Sequence, residues 1–113
     1  ALAGLFVVET FLREPSLFEH YVAFDPSLWW NHGRLVDSAT ALLSEARPRG
    51  KPHRSIYIAA SRDDIGNQTT RFAETLRKSP SRWLEWKFDA RPDLTHGTIF
   101  RALAPAALSN ALR

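Results

Sequence analysis

The chain has 113 residues, 44% hydrophobic and 24% charged, with a formal net charge of +3, the make-up of one ordinary globular domain or of part of one. It contains no cysteine, which excludes a disulfide framework and thiolate metal sites. No run approaches the ~20 apolar residues of a membrane-spanning helix, and no segment reads as a secretory leader.

Residues 2–11 are apolar almost all round (Leu5, Phe6, Val7, Val8, Phe11), which predicts a buried helix. Pro15 ends it, because the proline ring pushes Glu14 out of the α region. The short apolar run 21–24, stopped by Asp25-Pro26, suits a strand covered on both faces. After a loop through Ser27, Leu28, Trp29 and Trp30, the spacing of Leu35, Val36, Ala39, Leu42 and Leu43 predicts a helix over 33–46. Residues 56–60 form a second short strand. Beyond the polar turn 61–66, Asn67 can cap a helix that turns Phe72, Ala73 and Leu76 inward and carries Lys78 in its last turn. Residues 83–88 alternate, with Leu84, Trp86 and Phe88 on one face, as in a strand near a sheet edge. A loop holding His96 then leads to a final apolar helix, with Pro105 suited to its first turn.

The order is helix, strand, helix, strand, helix, strand, helix, which implies an α/β fold with a parallel sheet and helices on both faces. Three strands are few for such a sheet, so residues 1–113 read as a single partial domain, the second half of a larger one. In open parallel sheets ligands bind beyond the carboxyl ends of the strands. The first strand delivers Asp25 to Trp30 to that rim, the second Asp63 and Asp64, and the third His96. The helix that begins at Ala1-Leu2 starts there too if it follows a strand-turn-helix elbow.

His96, followed by the permissive Gly97, is the candidate general base; a loop histidine is equally at home as a solvent-exposed or structural residue. Asp63 is the candidate carboxylate partner for its ring and Asp64 the second choice. Either also suits the acidic entry to a helix, and Asp89 and Asp93 are weaker alternatives. Trp29 and Trp30 fit either core or the flat apolar wall of a pocket, whereas His32 reads as surface. The four histidines show no paired ligand spacing, so no metal site is expected. The basic run Arg47-Pro48-Arg49-Gly50-Lys51-Pro52-His53-Arg54 reads as a solvated loop. It also resembles an AT-hook core, with contacts to a DNA minor groove through Arg49 and Lys51 as a lesser alternative.

The opening Ala1-Leu2-Ala3-Gly4-Leu5-Phe6, the segment Tyr21-Val22-Ala23-Phe24-Asp25-Pro26-Ser27-Leu28-Trp29-Trp30 and the motif Leu94-Thr95-His96-Gly97 together resemble an esterase family of α/β-hydrolases. The resemblance is closest to the siderophore-esterase branch, the relatives of enterobactin and salmochelin esterases. It spans nearly the whole chain and implies the C-terminal half of an α/β-hydrolase, in the chain order nucleophile, acid, histidine. Aligned on Gly4 and Leu5, the family's Gly-x-Ser-x-Gly-Gly elbow puts its serine on Ala1 and a glycine on Ala3. Alanine at position 1 has no hydroxyl and cannot form an acyl-enzyme. The resemblance further implies that the Leu2 N–H is an oxyanion donor, His96 the base and Asp63 the acid. It implies a small-molecule ester as substrate, no cofactor, and an N-terminal half lying outside this sequence. The alternative is a ligand-binding module of the same fold without catalysis.

Overall fold

The structure, a computed structural model, describes residues 2–49 and 53–111, with side chains through 109. Its elements are α1 (Leu2–Arg13), β1 (His20–Phe24), α2 (Trp30–Glu45), β2 (Arg54–Ser61), α3 (Gln68–Lys78), β3 (Leu84–Arg91) and α4 (Ile99–Ala111), with 3-10 turns at Pro15–Leu17 and Ile65–Asn67. The strands form one sheet in the order β1-β2-β3. Both pairings are parallel, with Phe24 opposite Ala59, and Ser61 opposite Arg91. All three strands therefore end at one rim, as the alternation of elements predicts.

Successive side chains of a strand point to opposite faces, and each face here is covered by helices. Tyr21, Ala23, Ile56 and Ile58 pack with Val8, Phe11, Val36, Leu43, Phe72 and Leu76 of α1, α2 and α3. Tyr57 and Ala59 pack on the other face against Ile99, Leu103 and Ala107 of α4. On that second face the Tyr57 hydroxyl donates to Asp89 Oδ2 at 2.7 Å; burial, reinforced by this carboxylate, pushes the phenol pKa well up.

Several local expectations change. The first helix is not buried all round: Val8, Phe11 and Leu12 face the core while Leu2 and Phe6 are 66% and 70% exposed. Apolar composition hides a sidedness that only the sheet beneath it defines. Pro105 lies inside α4 rather than in its first turn. Burial of Ile99, Leu103 and Ala107 at four-residue spacing extends the helix upstream of the proline and outweighs its missing N–H. Asn67 occupies the N-cap position of α3 in a left-handed conformation without a side-chain cap bond; Asp64 does the capping instead. Within the basic run, the Arg47 guanidinium donates to the carbonyls of Ser44 and Ala46. Arg54 is buried and donates to the carbonyls of Pro15, Arg49 and His53. Lys51, named for the DNA contact, lies outside the described residues. No helix among the described residues is long and apolar enough to cross a membrane.

Gly4 fixes how closely α1 approaches the rim. A Cβ built there would lie 2.9 Å from Pro26 Cα and 3.1 Å from Pro26 Cβ. Gly4→Ala must push the start of α1 off the segment after β1, at an expected cost of about 1–3 kcal/mol. A lower urea midpoint with unchanged m-value checks this; an unchanged midpoint refutes it.

Candidate active site

Each strand hands one polar group to the rim. Asp25 follows β1 directly with φ 43, a left-handed conformation that costs a non-glycine residue about 1 kcal/mol and that Asp tolerates better than most. Its N–H donates to the Ala59 carbonyl at 2.9 Å, which keeps it registered on the sheet. Its side chain is only 3% exposed. At the end of β2, Ser61 donates its N–H to Asp25 Oδ1 (2.7 Å) and its hydroxyl to Oδ2 (2.5 Å). His96 Nδ1 lies 3.1 Å from the same Oδ2.

The ring therefore meets Asp25, not Asp63. Asp63 Oδ2 accepts the backbone N–H of His96 at 2.8 Å, while the Asp63 N–H donates to Ser61 Oγ at 3.0 Å. Asp25, Ser61, Asp63 and His96 thus form a closed circuit of hydrogen bonds tying all three strand ends together. Asp63 accepts from the backbone of residue 96 rather than from its ring. The other acidic candidates are also engaged elsewhere. Asp64 accepts from the N–H groups of Thr69 and Thr70 and from the Thr70 hydroxyl. Asp89 takes the Tyr57 hydroxyl. Asp93 forms a two-pronged pair with Arg91 at 3.0 and 2.9 Å, and this bond holds its carboxyl below the usual carboxylate range.

Sequence reasoning put Asp25 on the rim without giving it the ring, and it missed Ser61. Asp25 sits before a proline and reads as a strand stop, yet an acid on the first residue past a parallel strand already stands on the binding rim.

The loop carrying His96 is well tethered. The Arg62 N–H donates to the Leu94 carbonyl, the Thr95 N–H to the Thr98 hydroxyl, and the N–H groups of Thr98 and Ile99 to the Thr95 carbonyl. The imidazole itself is 54% exposed and borders two concavities. One is a cleft of ≈ 520 Å³ whose walls include Trp29, Arg62, Asp63 and Ile65. The other is a more apolar hollow of ≈ 440 Å³, lined by Ala3 and Gly4 of α1 together with Phe24, Ile99 and Phe100. The first turn of α1 and the histidine thus share one end of the sheet. Leu2 begins α1, where the first helical N–H groups lack intrahelical partners; position 1 lies outside the described residues.

Trp29 and Trp30 are 44% and 54% exposed, so neither is core. Leu28, fully buried, is the anchor of that loop, and only Trp29 lines the cleft. His32 is exposed and left-handed, as are Asn31 and Gly33 in backbone conformation. Among the described residues every left-handed backbone falls in the segments after β1 and β2, where such strain accompanies functional loops. Among the same residues no group of three or more His, Asp or Glu stands together as a metal would need.

No family model matches the chain. A siderophore enterobactin esterase of Emericella nidulans is 37% identical over 43 residues, 38% of this chain and 14% of that protein. Among solved structures, the BES protein from Bacillus cereus superposes with a TM-score of 0.78 at 20% identity, over 93% of this chain and 40% of that one. A siderophore hydrolase, EstB from Aspergillus nidulans, gives a TM-score of 0.63 at 19% identity, over 90% of this chain and 43% of that one. The chain thus spans less than half the length of the proteins whose fold it shares. This chain is thus similar in sequence to a siderophore enterobactin esterase over that matched stretch, and over most of its length it carries part of the α/β fold of those solved structures.

Proposed function

We propose that the full-length parent of this chain is a carboxylic-ester hydrolase that works through an acyl-enzyme. In this reading position 1 is the nucleophile position and the Leu2 N–H one oxyanion donor. His96 is the general base, and a small ester of the siderophore type is the substrate. Trp29 forms a wall of the acyl or alcohol site, and the rest of the fold comes from outside these residues. One observation carries the reading: the His96 ring is held from Nδ1 by a buried carboxylate, on the rim where α1 begins. A base held this way can take a proton from an attacking hydroxyl at Nε2 and return it to the leaving alcohol.

Ala1 supplies no hydroxyl, so the chain as it stands catalyses no such attack. Restoring serine in the full-length parent, Ala1→Ser, is expected to raise hydrolysis of short-acyl p-nitrophenyl esters by on the order of 10⁴–10⁶ over the alanine form. A serine form no faster than the alanine form overturns the reading. The alanine itself favours one second reading, a ligand-binding module with the same cleft. That reading predicts a change in tryptophan fluorescence on binding an ester ligand, without turnover in either form.

A further inference from the structure

The basic run 47–54 takes no part in the chemistry of the rim, and the fold disperses it. Arg54 turns inward and is buried, and Arg49 lines a hollow beside Pro15 and Leu17. Arg47 and His53 instead meet Lys78 and Arg82 around a separate concavity of ≈ 800 Å³, larger than either hollow beside His96. It lies between the C-terminal ends of α2 and α3 and the starts of β2 and β3, at the opposite end of the strands from the histidine. Among the described residues none of its walls comes from α1 or β1.

Among the described residues no Asp or Glu lines this hollow. Elsewhere on the surface Arg13, Arg71, Arg77 and Arg91 each pair with a carboxylate. The side chains of Lys78, Arg82 and His53 make no hydrogen bond or ion pair among the described residues. Helix ends account for part of the cluster: Arg47 Nη1 donates to the Ser44 and Ala46 carbonyls at the end of α2, and Lys78 closes α3. Those two ends bring only about −0.5 of an elementary charge each, against three permanent positive charges, so a surplus of roughly two remains. Arg82 belongs to no helix and has no such duty. Trp83, on the same wall, keeps its indole N–H buried without a hydrogen-bond partner among the described residues.

We propose that this hollow is a second ligand site, one that takes a small anion carrying two or more phosphate groups. The guanidinium groups of Arg47 and Arg82 can each grip two phosphate oxygens, and Lys78 meets a further charge. A single phosphate leaves part of that positive charge unmatched. A DNA duplex is the poorer fit, because the cations line a concavity and Arg49, which a minor-groove contact needs, lines a different hollow. The site stands apart from the ester-hydrolase reading, since it shares no residue with the cleft at His96.

The test is calorimetric titration of the full-length parent with sodium tripolyphosphate, in metal-free buffer at about 50 mM salt. One equivalent is expected to bind with a Kd of about 100 μM or tighter. Combining Lys78→Glu with Arg82→Glu is expected to raise that Kd at least about tenfold. The control, Arg34→Glu with Arg101→Glu, makes the same change in net charge on exposed residues outside the hollow. It is expected to shift the Kd by no more than about twofold, because salt screens distant charges. Absence of binding to the unmodified parent overturns the proposal without any variant. So do equal losses in the two double variants, or equal displacement of tripolyphosphate by sodium sulfate at matched ionic strength. A short DNA duplex that binds more tightly than tripolyphosphate, and loses its affinity with Lys78 and Arg82, overturns it in favour of nucleic acid. None of these readouts requires turnover, so an inactive Ala1→Ser parent that binds tripolyphosphate fails the ester-hydrolase reading and leaves this site standing.

Discussion

In a full-length parent carrying serine at position 1, His96→Ala is expected to lower kcat for p-nitrophenyl ester hydrolysis by about 10⁴-fold or more. Without the imidazole the serine hydroxyl keeps its proton, and only binding and oxyanion contacts remain to assist attack. The same change should cost little stability. The ring is half exposed, and the tether that orders the loop runs through the backbone N–H of residue 96 to Asp63, which alanine retains. The measurement is therefore a pair: steady-state kinetics and urea unfolding on one variant. Near-normal turnover removes His96 from the mechanism. A large loss of stability shows instead that the ring supports the rim rather than the reaction.

The largest stability effect is expected at Phe11→Ala, about 3–5 kcal/mol. Phe11 is fully buried. Its ring meets Tyr21 edge-on at 5.3 Å and Trp83 at 5.8 Å, so it joins α1 to β1 and to the approach to β3. Tyr21 in turn donates its hydroxyl to the Pro15 carbonyl and accepts the Phe18 N–H, which ties down the connection between α1 and β1. Small domains carry only about 5–15 kcal/mol of net stability, so this loss is a large share of the total. Phe6, on the same helix but largely exposed, is the control, with Phe6→Ala expected to shift stability by no more than about 0.5 kcal/mol. Comparable urea midpoints for the two variants would refute the assignment of the inward face of α1.

The parallel sheet was legible because its strands are short apolar runs broken by polar turns, a pattern that needs no knowledge of partners. The helix through Val36, Ala39 and Leu43 was legible for the same reason, since its periodicity is internal. Failures cluster where tertiary context decides. Nothing local says that Phe6 points outward and Phe11 inward, because both belong to one continuous apolar surface. Pro105 looked like a helix start because the pull of Tyr57 and Ala59 on Ile99 comes from 40 residues away along the chain. At the rim, sequence order brought the right segments together, and His96, Asp63 and Trp29 do line one cleft. The partner of the ring was not legible. Spacing along the chain cannot tell which of several carboxylates on a shared edge is buried, and that depends on Ser61 reaching across from β2 to hold Asp25 in place.

A circuit of bonds has no end at which change can enter quietly. Asp25, Ser61, Asp63 and His96 each bond two others, so a change at one alters the bonding of its neighbours, and the effects of replacing two are not expected to add. Double-mutant cycles among the four residues are therefore the measurement that separates their contributions, because no single replacement reads one bond alone.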